Sequence, residues 1–160
     1  MRMIFAALCA VLLAGPALAD DMQVTGAYAR PTTPNAATAA IYLTLVNGSG
    51  ADDRLVAVET AVAAEAMLHT SAVNADGMMQ MLEIDGGVAI APGAQHAFAP
   101  GGDHVMLMGL TQQLVEGAQF TVTLTFEVAG KVVVVVPVLT DAPGAAPMDH
   151  SGHGAEPAKE

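Results

Sequence analysis

The chain has 160 residues, a formal net charge of −11 and a single cysteine, Cys9. An acidic surface of this size excludes nucleic acid and anionic membrane as partners, because both attract basic proteins. One cysteine excludes a disulfide framework, so stability must come from an apolar core.

Taken in chain order, the first segment is an export signal. Arg2 supplies a short basic start, residues 4–13 are apolar, and Ala17-Leu18-Ala19 is a small-x-small cleavage site. The apolar run is shorter than the roughly 20 residues of a transmembrane helix. Leu8, just before Cys9, is too bulky for a lipoprotein cleavage site, so Cys9 is expected to leave with residues 1–19. The mature protein, starting at Asp20, is then periplasmic and has no membrane anchor. It also has no thiolate, so any metal it binds outside the cytoplasm is held without sulfur anions.

Residues 20–141 read as one β domain. Residues 38–46 (TAAIYLTLV) and 119–128 (QFTVTLTFEV) alternate apolar with small or polar side chains, the period of a half-buried strand. Residues 131–138 (KVVVVVPV) form a continuous β-branched run, which predicts a strand covered on both faces, with Pro137 tolerable near an edge. Shorter strands are expected over 23–29, 54–59, 64–72, 78–84, 95–99 and 104–109. Turn signals separate them, among them Asp76-Gly77, Asp85-Gly86-Gly87, Pro92-Gly93 and Pro100-Gly101-Gly102. The alanine-rich stretch 57–66 contains Val58, Thr60 and Val62 and is read as strand and loop. Many short strands with no amphipathic helix predict an antiparallel sandwich or barrel. Residues 142–160 carry no pattern able to bury anything and are expected to be a disordered tail.

The chemistry lies in methionines set beside histidines. Eight methionines remain after the signal: Met22, Met67, Met78, Met79, Met81, Met106, Met108 and Met148. A single methionine in a strand is usually core filler. His104-Val105-Met106 is different, because residues two apart share a strand face about 6.7 Å apart and can meet one ion. Val105 and Leu107 then point into the core, and Met108 continues the outer face. Met79 and Met81 share a face in the same way, as do Met67 and His69. Neutral imidazole with soft thioether selects Cu(I) over Mg²⁺, Ca²⁺ or Mn²⁺, whereas Zn²⁺ uses Cys, His or carboxylate. A blue-copper carrier is excluded by its need for a cysteine ligand. His96, in a short apolar strand, is read as a surface or packing residue.

The span from His69 to Val138 resembles the PCu(A)C family of periplasmic copper chaperones. The matching residues are His69, Asp76-Gly77-Met78-Met79-Gln80-Met81, Pro92-Gly93, Pro100-Gly101-Gly102, HVMLMGL at 104–110, LTF at 124–126 and VPV at 136–138. The resemblance implies a cupredoxin-like Greek-key β-barrel or sandwich that binds one Cu(I) through two His and two Met. Carried over by position, the ligands are His69, Met81, His104 and Met106. It also implies delivery of copper to the CuA domain of cytochrome oxidase subunit II, alongside a Sco-type copper protein. Eleven residues separate His69 from Met81 and twenty-two separate Met81 from His104, one more in each interval than the family pattern. That leaves Met79 as a rival to Met81, with Met108 as a possible further ligand.

The tail offers a second constellation, Met148-Asp149-His150-Ser151-Gly152-His153. Its nitrogen and oxygen donors favour Cu(II), in contrast to the thioethers of the body. Three functions follow for the whole protein: a copper carrier, a storage or resistance protein without specific delivery, or a plain β-sandwich interaction module. An enzyme is not expected, since no nucleophile–base pair or carboxylate pair is present.

Overall fold

The computed structural model describes residues 22–33 and 35–140. The export signal with Cys9 and the tail from residue 142 therefore lie outside the described residues. Ten strands follow in order: β1 (Met22–Pro31), β2 (Thr38–Asn47), β3 (Asp53–Thr60), β4 (Ala63–Val73), β5 (Met79–Glu83), β6 (Val88–Ile90), β7 (Gln95–Phe98), β8 (Asp103–Leu110), β9 (Gln119–Phe126) and β10 (Lys131–Pro137). Among the described residues no helix forms. The strands make two antiparallel sheets, one ordered β1-β2-β8-β4-β5 with β7 also on β2, the other β10-β9-β3-β6. A single parallel bridge, Ala29 to Val138, ties the two at one side.

The period of two sorts side chains between core and outer faces. Ile41, Leu43 and Leu45 of β2, Leu68 of β4, and Val105 and Leu107 of β8 face inward, against Leu55 of β3 and Phe120, Val122, Leu124 and Phe126 of β9. Burying each such side chain contributes about 1.5–3 kcal/mol, so these rows fix which face of every strand points outward. Two buried polar groups brace the frame. Asp53 accepts hydrogen bonds from the backbone N–H of Val128 and Ala129, holding the β9–β10 turn. Asn47 donates to the carbonyls of Ala51 and Ile90. Gly87 sits at φ +79°, and a Cβ there would collide with the Leu55 carbonyl oxygen.

One expectation fails. The valine run of β10 is not covered on both faces: Val136 is fully buried, but Val133 and Val135 are exposed. β10 is an edge strand of its sheet and only its inner face meets the core, so the run reflects strand propensity without double burial. The short β6 strand had no counterpart among the expected elements, because three residues are too few to show a period.

β7 and β8 both pair with β2 in the same antiparallel sense, so they run in line as one interrupted strand. Leu43 and Ile41 on β2 are two residues apart, whereas their partners Phe98 and Val105 are seven apart. The extra residues are extruded as a tight loop at Pro100-Gly101-Gly102. Gly101 takes φ +83°, the Gly102 N–H donates to the Ala99 carbonyl, and the Ala99 N–H donates to the Asp103 carbonyl. This loop delivers His104 to the outer face.

Candidate metal centre

The register of β4 on β8 sets His69 directly opposite His104 and Met67 directly opposite Met106. All four belong to the outer face, since the intervening Leu68 and Val105 are buried in the core. The imidazole rings of His69 and His104 lie 6.0 Å apart, edge to face. On the other side of β8, β2 contributes Tyr42, whose ring is 6.3 Å from that of His104, and Tyr28 of β1 stacks behind it at 5.2 Å.

His104 is only 3 % exposed although it lies on an outward face. It lines a hollow of about 190 Å³ together with Met81, Met106, Ala40, Tyr42 and the Arg30-Pro31-Thr32 segment. Met81 reaches it from β5, where it sits opposite Ser71 of β4. Met79, the rival, lies one step further along β5 opposite Val73 and does not line the hollow. Met108 lies one step beyond Met106, between Thr38 and Glu65, and also stays outside it. His69 and Met67 do not line it either, and join the site as the cross-strand partners of His104 and Met106. A larger hollow, about 440 Å³ around Thr33, Leu114 and Thr140, contains no histidine or methionine.

The tautomer of the neutral His104 ring follows from its neighbours. Its Nδ1 is 3.0 Å from the Gly102 carbonyl oxygen, which can only accept, so Nδ1 carries the hydrogen. Nε2 is left with a lone pair, buried and without a hydrogen-bond partner. Nδ1 of His69 is buried and unpartnered too. Each such group costs about 1–3 kcal/mol when left unsatisfied, and two on neighbouring rings suit an ion that accepts both lone pairs. The donor set also limits the ion. Among the described residues no group of three or more His, Cys, Asp or Glu is placed to hold a metal. The side chains that share the hollow with His104 include the thioethers of Met81 and Met106, donors that suit a soft cation. Burial, with a smaller push from Tyr42, raises the Tyr28 phenol above its ordinary range, so it stays protonated and supplies no anionic oxygen.

His96 is occupied elsewhere. Its Nε2 is 2.9 Å from the Asp103 carboxylate, and its ring packs on Phe98. It braces the base of the extruded loop, in keeping with a packing role. Tyr28, Tyr42, Arg30 and the Gly102 carbonyl were not foreseen as parts of the site, since only the register of β1, β2 and β8 brings them there. The tail donors Met148, His150 and His153 fall outside the described residues.

Comparison with known proteins places the chain in a family and a fold. Residues 22–138 match the family model described as "Putative lipoprotein LpqE-like". The chain belongs to the LpqE-like family. A relative in Leifsonia xyli subsp. xyli, described as "Putative lipoprotein Lxx21020", is 32% identical over 132 residues, covering 81% of this chain and 80% of its own. Among solved structures, the copper-bound PCuAC domain from PmoF2 is similar to this LpqE-like chain with a TM-score of 0.63 and 26% identity, covering 77% of this chain and 94% of that one. The Cu(I) form of DR1885 from Deinococcus radiodurans has a TM-score of 0.54 and 30% identity, covering 75% and 79%. The PCu(A)C resemblance seen in the sequence therefore extends to the fold, an all-β arrangement of two antiparallel sheets.

Proposed function

We propose that this LpqE-like protein is an exported copper carrier that binds one Cu(I) through His69, Met81, His104 and Met106 and passes it to the CuA domain of cytochrome oxidase subunit II. A Sco-type copper protein is the expected companion in that delivery. One observation carries the reading: the neighbouring rings of His69 and His104, 6.0 Å apart, each keep a buried nitrogen without a partner, and His104 shares its hollow with Met81 and Met106. Among the described residues no third histidine or carboxylate is grouped with them to hold a metal. The copper-bound structural neighbours support it. Four neutral donors leave the Cu(I) complex with the ion's single charge, a smaller burden in a hollow than a divalent ion would impose.

The proposal includes a periplasmic, released protein. The family and the Leifsonia relative are described as lipoproteins, which raises the alternative of a lipid-anchored Cys9; the released form proposed here requires cleavage after Ala19. The tail, through Met148, His150 and His153, is proposed as a separate Cu(II) site.

Equilibrium dialysis of the mature protein tests the binding. One Cu(I) per chain is expected, without colour, because a d¹⁰ ion has no ligand-field bands. A chain ending at residue 141 should keep that Cu(I) and lose a nitrogen-rich Cu(II) signal in electron paramagnetic resonance. An intense visible charge-transfer band, or no Cu(I) retained, contradicts the body site. An unchanged Cu(II) signal in the shortened chain removes the tail site alone.

A further inference from the structure

We propose that Met67 is a reserve ligand that takes up Cu(I) when Met81 lets go. The inference rests on the copper-carrier reading and extends it to a residue outside the four-ligand set. Met67 lies directly opposite Met106 on β4 and β8, and diagonally from His104. Opposed side chains on one face of an antiparallel pair have Cβ atoms about 4.5–5.5 Å apart, and diagonal neighbours about 7–8 Å, within reach of a long thioether. The anionic groups on this face are Glu65, two residues from Met67 on β4 and opposite Met108, and Glu83, opposite His69, and a carboxylate is a poor competitor for Cu(I).

Anchorage separates the two methionines. Met81 is 62% exposed, on an edge strand whose five residues are all exposed. Its backbone pairs on one side only, with β4. Met67 is half-buried on β4, an interior strand between β8 and β5; β8 pairs at Met67 itself, and β5 pairs further along from His69 to Val73. An incoming acceptor therefore displaces Met81 first. Met67 then replaces it from the side of β4: one Cu–S bond breaks, one forms, and copper stays Cu(I) throughout. His104, Met106 and His69 keep their hold, so the ion is never left with too few donors during exchange.

The test uses the mature protein and Met→Leu variants, which remove sulfur while keeping the volume. Cu(I) alone is the probe, read by competition titration and by the sulfur count in X-ray absorption. Met67→Leu should weaken binding by less than about threefold and keep two sulfurs, while Met81→Leu should lose about tenfold and still show two. The double variant should show one sulfur and bind about tenfold more weakly than the product of the single effects, the mark of two residues sharing one role. One sulfur in Met81→Leu overturns the proposal, and so does a double variant equal to that product. A Met67→Leu protein that itself drops to one sulfur overturns it as well, because Met67 would then be a permanent ligand. Failure of the unaltered protein to bind Cu(I) would sink the carrier reading instead.

Discussion

Replacing His104 and Met106 together by alanine should lower Cu(I) affinity by more than about 100-fold while leaving the fold intact. Losing even an outer partner of a metal ligand costs about 10–100-fold, and here two direct donors go at once. The fold should survive because the two residues lie on the outer face, while Val105 and Leu107 make the core contacts of β8. Removing His104 also removes a buried nitrogen that has no partner in the copper-free protein. The variant also loses the Nδ1 bond to the Gly102 carbonyl and the ring contact with Tyr42, so it should unfold in one cooperative transition, somewhat below that of the unaltered protein without copper. Competition titration against a Cu(I) chelator reads the affinity, and a thermal melt reads the fold. Unchanged affinity would move the site elsewhere on the molecule.

Copper should stabilise the protein by a large margin, and acid should take that margin away. A ligand that binds only the folded chain adds RT ln(1 + [L]/Kd), about 4 kcal/mol at a thousand times Kd. For a domain of this size each kcal/mol raises the midpoint by roughly 2–8 °C, so Cu(I) loading should raise it by on the order of ten degrees or more. Part of the gain comes from giving the two orphan nitrogens a partner. A proton and Cu(I) compete for the same imidazole lone pair, so the increment should shrink in mild acid. Thioethers do not titrate, and a residue of the increment should survive. Calorimetry with and without Cu(I) at neutral and mildly acid pH checks this. An increment that is absent, or that ignores pH, would contradict histidine ligation.

Much of the fold was legible because alternation is a local signal. Nine of the ten strands coincide with expected segments, with ends shifted by at most two residues, and Val105 and Leu107 point inward as the period requires. The β10 run misled because valine has high strand propensity whether or not both faces are covered. The His104–Met106 pair was also local. The site as a whole was not, because opposing His69 to His104 and Met67 to Met106 depends on a register that no single strand encodes. The same holds for Tyr42, which reaches His104 only because the Ala99–Asp103 loop interrupts the pairing of β7 and β8 with β2. Met79 and Met81 look alike in sequence, and they separate only through the lateral position that β5 gives each of them.

The carrier role is tested most directly by mixing the Cu(I)-loaded protein with a reduced, copper-free CuA domain. Thioethers are neutral and hold Cu(I) less firmly than the thiolates of a cysteine-bearing acceptor, so copper should move downhill. Met81, at 62% exposed, offers the acceptor a first point of exchange. Transfer should reach the acceptor even with a fast Cu(I) chelator in solution, which should intercept little of the ion if exchange occurs within an encounter complex. Copper that remains on the donor at equilibrium would contradict delivery and leave a storage protein. Copper that passes to the chelator first would show release into solution, without a handover.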